Sequence, residues 1–354
     1  MQNNRLVFYD SPLSPCARRV RVTLAAKQIS HAVEYVDISK AEQKRPAYKA
    51  INPYGKVPAM TVDGRPLWES NIMTQYLDEA FACPALYPSD PLDYARVREW
   101  QAFEIRFAQT FFMLMYHRLA GTVLRVQKRS LERFVADIKK QSNDPAFIEF
   151  NKKAFLGSLL NSTEEAHHEQ LLLDGIGKIE DALQDGRAYL IGAHFSQADI
   201  SVFPRMRMLV YLGVVVDKTR YPNTSRWLTR VDRQPSMSAS MTANEQMMAN
   251  PLMLRMLRWA RYPSLKPADE QSLAERVGLR LMHHLLALDA LAIERLVVGL
   301  KKRLPKSRVD QSGISAPQRP VNMSSPTLTL AYNPASGEGQ AASEILRWLG
   351  IDAA

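Results

Sequence analysis

The chain of 354 residues has only two cysteines, Cys16 and Cys83. That is too few for a disulfide framework or a sulfur-rich metal centre, and no metal is expected. It points to a reducing compartment, the cytoplasm. No Cys-x-x-Cys pair is present. No apolar run is long enough to span a bilayer as a helix, and the opening residues MQNNRLVFYD lack the apolar stretch of a secretory leader. Cationic blocks are missing as well. The net charge is +10, yet the basic residues are scattered and the longest unbroken run is Lys301-Lys302-Arg303. Such a surface suits anionic small molecules, and nucleic acid is not the expected partner.

What is present is enough apolar sequence, 46 % of residues against 23 % charged, to build two or more globular domains. Residues 6–9 are a short apolar run bounded by turn residues, which predicts a buried strand. Residues 10–15 carry two Ser-Pro pairs, and a residue before proline is pushed away from helical dihedrals. Pro15 suits the first position of a helix. Ala17, Val20 and Leu24 mark its apolar face, with Arg18, Arg19 and Arg21 expected to reach water. Ser14 then stands at a helix mouth, where backbone N–H groups and the dipole favour an anion such as a thiolate or carboxylate. Taken alone, a plain capping role is the preferred reading, because caps outnumber anion sites.

Residues 32–38 alternate enough for a second strand. Residues 39–50 are polar and cationic, with Lys40, Gln43, Lys44, Arg45 and Lys49 offering donors to an acidic ligand. A turn at 52–55 leads to a strand-like run over 57–62 with Pro58 near its start, a position proline tolerates in a sheet. Asp63-Gly64 predicts a hairpin into residues 66–68. An amphipathic helix is expected over 71–81, with Ile72, Met73, Tyr76 and Leu77 as its apolar positions.

Taken in order, Ser14-Pro15-Cys16-Ala17-Arg18-Arg19-Val20-Arg21, then Lys56-Val57-Pro58-Ala59, then Glu69-Ser70 resemble the thioredoxin-like domain of the cytosolic glutathione transferases. The first group is similar to the serine-type classes, tau and zeta in particular. In the omega class a cysteine takes the place of Ser14, and Cys16 resembles the cysteine that zeta enzymes carry two positions after their serine. Further along, Ser196-Gln197-Ala198-Asp199 is similar to the S/T-x-x-D box in the buried helix of the family's second domain. Tyr221-Pro222-Asn223, Trp227 and Arg233-Gln234-Pro235-Ser236 look like the end of that domain, so the resemblance runs from about residue 4 to 245.

The expected fold class is α+β: a thioredoxin-like domain over 1–84, a linker over 85–93, an all-helical domain over 94–248, and an extension over 249–354. Within the helical domain, Trp100, Phe103, Phe107, Phe111 and Phe112 read as core and interdomain packing. The extension departs from the family. It promises one or two amphipathic helices over 273–304 with His283 and His284, a mobile Ser/Pro/Gln-rich linker over 305–326, and a strand-then-helix end.

The resemblance implies a glutathione transferase that ionises the glutathione thiol for attack on a hydrophobic electrophile, acting as a homodimer. It assigns Ser14 to the thiol and Val57, before a cis Pro58, to strand-like pairing with the glutathione backbone. Glu69 would meet the γ-glutamyl ammonium, Ser70 its carboxylate, and Lys56 with Lys44 the glycyl carboxylate. Ser11 and Cys16 stand as rivals to Ser14, the latter through mixed-disulfide chemistry. Isomerisation of an unsaturated acid, β-ether cleavage and dehalogenation remain open, as does a non-catalytic scaffold acting through its extension.

Overall fold

The computed structural model describes residues 5–287 except 82, 83, 129 and 142. Cys83, the linker expected over 305–326 and the strand-then-helix end lie outside the described residues.

Strand β1 (Leu6–Asp10) buries every second side chain, Leu6, Phe8 and Asp10. Helix α1 (Pro15–Ala26) crosses over to β2 (Ala32–Tyr35), which pairs parallel to β1. β2 stops short of the expected 38 because the chain turns into two 3-10 turns, Ile38–Lys40 and Glu42–Lys44, and a short helix α2 (Pro46–Lys49). Strands β3 (Ala59–Val62) and β4 (Arg65–Trp68) complete a sheet of order β2-β1-β3-β4, with β3 antiparallel to both neighbours. β3 starts just after Pro58, which has no N–H to give the ladder. Asp63 and Gly64 take φ values of 51° and 78°, the left-handed pair that a tight two-residue hairpin turn needs. Helix α3 (Ser70–Ala80) closes the unit. Phe8, Val20, Leu24, Met60, Met73 and Leu77 interlock between the sheet and α1 and α3. This is the thioredoxin-like layer.

One expectation about α1 is corrected. Arg18, Arg19 and Arg21 do not reach water: Arg18 and Arg19 are 6 % and 2 % exposed, and the Arg21 side chain 10 %. The 3.6-residue period correctly placed Ala17, Val20 and Leu24 against the sheet. It could not foresee that a second layer covers the opposite face and provides carboxylates and carbonyls for the guanidiniums.

That layer begins with α4 (Pro91–Leu114), whose first N–H groups are capped by Asp90. A single π-helical turn (Met115–Ala120) joins it to α5 (Gly121–Lys128), followed by α6 (Leu131–Lys139), α7 (Pro145–Leu156) and α8 (Ser162–Ala182). Next come α9 (Gln197–Met208), α10 (Pro222–Asp232), α11 (Pro235–Ala239) and α12 (Ala243–Met248). Phe103, Phe107 and Phe111 are buried as expected, whereas Trp100 is half-buried and Phe112 is 44 % exposed. Gly175 on α8 lies under Phe107; a Cβ there would come within 2.6 Å of the ring, so the two helices can approach only because glycine lacks one.

The first part of the extension continues this layer. Helices α13 (Pro251–Ala260) and α14 (Leu273–Ala287) pack Met253, Met256, Leu257 and Met282 against Val126 of α5 and Met248 of α12. His283 is half-buried with Nδ1 at 3.0 Å from the Val126 carbonyl, to which it donates, so its role is packing.

The box at the start of α9 is closed. Asp199, fully buried, accepts from Leu190 N and Ser196 N at 3.0 Å, from Ser196 Oγ at 3.0 Å and from Trp227 Nε1 at 2.7 Å. Burial pushes its carboxyl above the ordinary aspartate range, and these donors oppose the rise. Asp199→Ala strands four buried donors and is expected to cost roughly 3–5 kcal/mol of unfolding free energy. Urea denaturation should show a lower midpoint with an unchanged slope.

Candidate active site

The loop between β1 and α1 is a tight turn in which Ser14 N donates to Ser11 O at 2.9 Å. Ser11 is buried at 3 % exposure, whereas Ser14 is half-buried at the helix mouth. Ser14 has extended backbone dihedrals, and its Oγ accepts from Ala17 N at 3.2 Å. It is therefore the cap of α1. Capping uses a lone pair and not the proton. The hydroxyl still has its O–H to donate, and among the described residues no acceptor takes it. The two readings of Ser14 are compatible.

The β1–β3 register sets Ala59 opposite Tyr9, so Val57 and Pro58 run past the end of β1 from which the Ser14 loop leaves. The Val57–Pro58 peptide is cis. Behind it, the Lys56 carbonyl accepts from Tyr48 Oη at 2.7 Å and Asn52 Nδ2 at 2.8 Å, which fixes the approach of the strand. Gly55 turns this loop with a φ of 57°, and a Cβ there would lie 2.7 Å from Gln43 O.

Lys44 folds across Gly55, its Cδ 3.2 Å from where a Cβ would stand. Lys49 and Lys56 lie close enough to act on it. Burial first, then repulsion from these two lysines, holds the Lys44 ammonium below the ordinary lysine range. Among the described residues none of the three has a carboxylate partner. Three cations gathered without a counter-ion form a ready seat for an anion.

Glu69, just before α3, is exposed and takes a φ of 66°, a left-handed conformation that costs a non-glycine residue about 1–3 kcal/mol. Its carbonyl accepts from Met73 N, while its carboxylate has no partner among the described residues. Ser70 is 7 % exposed, and its Oγ accepts from Arg19 Nη1 at 2.9 Å. Like Ser14, it keeps its proton.

Three residues that sequence reasoning did not assign hold Ser70 in place. Arg19 Nη2 donates to Glu104 Oε2 at 2.6 Å and to Ser201 O at 3.2 Å. Glu104 Oε1 accepts from Arg205 Nε at 2.6 Å, and Arg205 Nη2 lies 3.8 Å from Cys16 Sγ. Burial alone would raise the Glu104 carboxyl, but the two guanidiniums outweigh it and keep the group below the usual carboxylate range. A signal was available: Glu104 interrupts the aromatic face of α4 and Arg205 the apolar run of α9. Cys16 is half-buried in the first turn of α1, a free thiol beside Arg205.

The glutathione S-transferase N-terminal domain model matches residues 13–80, and the C-terminal domain model of the same family matches residues 162–230. The protein LigF of Sphingobium sp. is 27 % identical over 224 residues, 61 % of this chain and 84 % of that protein. A maleylacetoacetate isomerase of Pseudomonas aeruginosa is 42 % identical over 94 residues; the match covers 26 % of this chain and spans less than half, 44 %, of the isomerase. The crystal structure of the β-etherase LigF superposes with a TM-score of 0.60 at 26 % identity, over 66 % of this chain and 98 % of that one. The chain thus carries both glutathione S-transferase domains, the N-terminal one over residues 13–80 and the C-terminal one over residues 162–230, with the Ser14, Pro58 and Ser70 elements in the expected order.

Proposed function

We propose that the chain is a glutathione transferase in which Ser14 donates its hydroxyl proton to the glutathione sulfur. The observation that carries this reading is the Ser14 hydroxyl itself, a helix cap whose proton is unclaimed. A free thiol titrates near ~8.5 and is mostly protonated at neutrality. A donated hydrogen bond and the positive end of α1 favour its ionised form. Bound glutathione supplies a soft sulfur nucleophile, and the chain's residues hold it and set its charge. Glu69 accepts from the γ-glutamyl ammonium, and Ser70 donates to the neighbouring carboxylate. Lys44 and Lys56 meet the glycyl carboxylate, and Val57 offers its backbone beside Pro58 in the manner of an added strand. The donor set fits the ligand: each group assigned to it is one that the fold leaves with bonding capacity.

In this reading residues 1–84 bind glutathione, 85–93 link, and 94–248 supply the wall for a hydrophobic electrophile, with 249–354 appended. A homodimer in the cytoplasm is the working assembly. Cleavage of a β-ether is the reaction subtype we favour. Support for it comes from LigF, a β-etherase matched over 84 % of its length, whereas the isomerase match stops at 44 %.

Ser14→Ala should lower kcat by about 10²-fold or more, with the KM for glutathione moving only a few-fold. Steady-state kinetics with a general electrophile checks this, and equal losses in both constants would speak against the assigned role. The unaltered protein should be retained on immobilised glutathione and Ser70→Ala should not be; a variant that still binds the resin removes Ser70 from the site. For the reaction subtype, a β-aryl ether should be cleaved with formation of a glutathione thioether. Turnover of halogenated or unsaturated-acid substrates without ether cleavage would replace that assignment.

A further inference from the structure

Arg21 touches three separate stretches of chain with one planar group. Its Nη1 donates to Asp10 Oδ1 at 2.6 Å, at the end of β1. Its Nη2 donates to Pro12 O at 3.0 Å, inside the turn that carries Ser14. The same nitrogen donates to Glu245 Oε1 at 2.8 Å, and Nε donates to Ser240 O at 3.0 Å. Ser240 directly follows α11 and Glu245 lies in the first turn of α12, both more than 200 residues from the loop they help to hold; the Arg21–Glu245 separation is 224.

Glu245 is itself fixed. Thr242 N donates to its Oε2 at 2.9 Å, and Glu245 N donates to Thr242 Oγ1 at 3.1 Å, a capping box at the start of α12. Thr242 Oγ1 also lies 3.4 Å from Pro12 O and 3.2 Å from Glu245 Oε2, with a single proton to give to one or the other. Pro12 has no N–H, so its carbonyl is the one backbone group by which that residue can be anchored. The next residue, Leu13, is 36 % exposed. The turn is thus held from the α12 side at its second residue and from α1 at Ser14.

We infer that Glu245, acting through Arg21, is a positioning residue for Ser14: the start of α12 sets the turn from which the hydroxyl is presented to the glutathione sulfur. This rests on the transferase reading. It makes the end of the helical layer, from which the extension departs, part of the mounting of the reactive group.

A competing effect has the opposite sign and makes the test decisive. Arg18 and Arg21 face Asp10 and Glu245, with Arg18 Nε 3.8 Å from Glu245 Oε1, and Tyr35 and Tyr211 border the same charges. Two cations against two carboxylates are balanced. Glu245→Gln removes one negative charge, and through space alone the uncovered cation would favour a thiolate. Loss of the Ser14 hydrogen bond disfavours it.

The ultraviolet absorbance of the thiolate, followed against pH with saturating reduced glutathione on the full chain, reads the difference. In Glu245→Gln the bound thiol should titrate about one pH unit higher than in the unaltered protein, and kcat near neutrality should fall about tenfold. The KM for glutathione should stay within about twofold, since Lys44, Lys56, Glu69 and Ser70 are untouched. Thr242→Val, which keeps every charge, should shift the titration the same way by a smaller amount, and it carries the test if Glu245→Gln does not fold. A lower or unchanged titration in the variants, with ionisation intact in the unaltered protein, overturns the positioning role alone. If the unaltered protein binds glutathione without ionising its thiol, the transferase reading falls and this inference with it.

Discussion

Helix α1 is buried on two faces, and the second face carries Arg18, Arg19 and Arg21 beside Val22 and Thr23. Taking a guanidinium out of water costs several kcal/mol and is recovered only by a close counter-charge with well-formed hydrogen bonds. Glu104 provides that on both oxygens at once, to Arg19 from α1 and to Arg205 from α9, each at 2.6 Å. The Glu104 and Arg205 side chains are 4 % and 1 % exposed, so solvent cannot take over from either partner. This one carboxylate allows the helical layer to close over α1. Arg19 is then fixed, and the Ser70 hydroxyl with it.

The same physics separates scaffold from site. Two of the polar groups that build the fold are paired many times over, Asp199 with four donors and Arg21 with four acceptors. Groups at the candidate site keep something in reserve. Ser14 and Ser70 each accept one hydrogen bond and retain a proton, and Lys44 is crowded by other cations. A ligand can be held only by bonding capacity that the fold has not consumed. In the proposed reading that capacity, spread along one end of the sheet from the Ser14 turn past Pro58 to the start of α3, serves an extended peptide with charged ends.

The described part of the extension, residues 249–287, is joined to this arrangement. α12 is bound to the Ser14 turn through Glu245 and Arg21, and its Met248 enters the apolar cluster that α13 and α14 make with α5. Arg125 of α5 adds a polar tie, donating to the Ala154 and Phe155 carbonyls and to Ser264 Oγ. Arg125 is 8 % exposed, and burial, then the nearby Arg261, lower its guanidinium to about 10.

Sequence alone settled the features governed by neighbours a few residues apart. Ser14 and Pro15 start a helix, Pro58 stands before a strand, Asp63-Gly64 makes the hairpin, and Ser196 with Asp199 closes a cap; each depends on local dihedrals and short hydrogen bonds. The motifs at 14–21, 56–59 and 69–70 likewise pointed to the glutathione S-transferase domains that match residues 13–80 and 162–230. Only the tertiary structure decided that the α1 arginines turn inward, that Glu104 and Arg205 complete the support of Ser70, and that α12 grips the Ser14 turn. Those partners lie 85, 101 and 224 positions apart, and periodicity along one helix says which face is apolar but not what will be packed against the other.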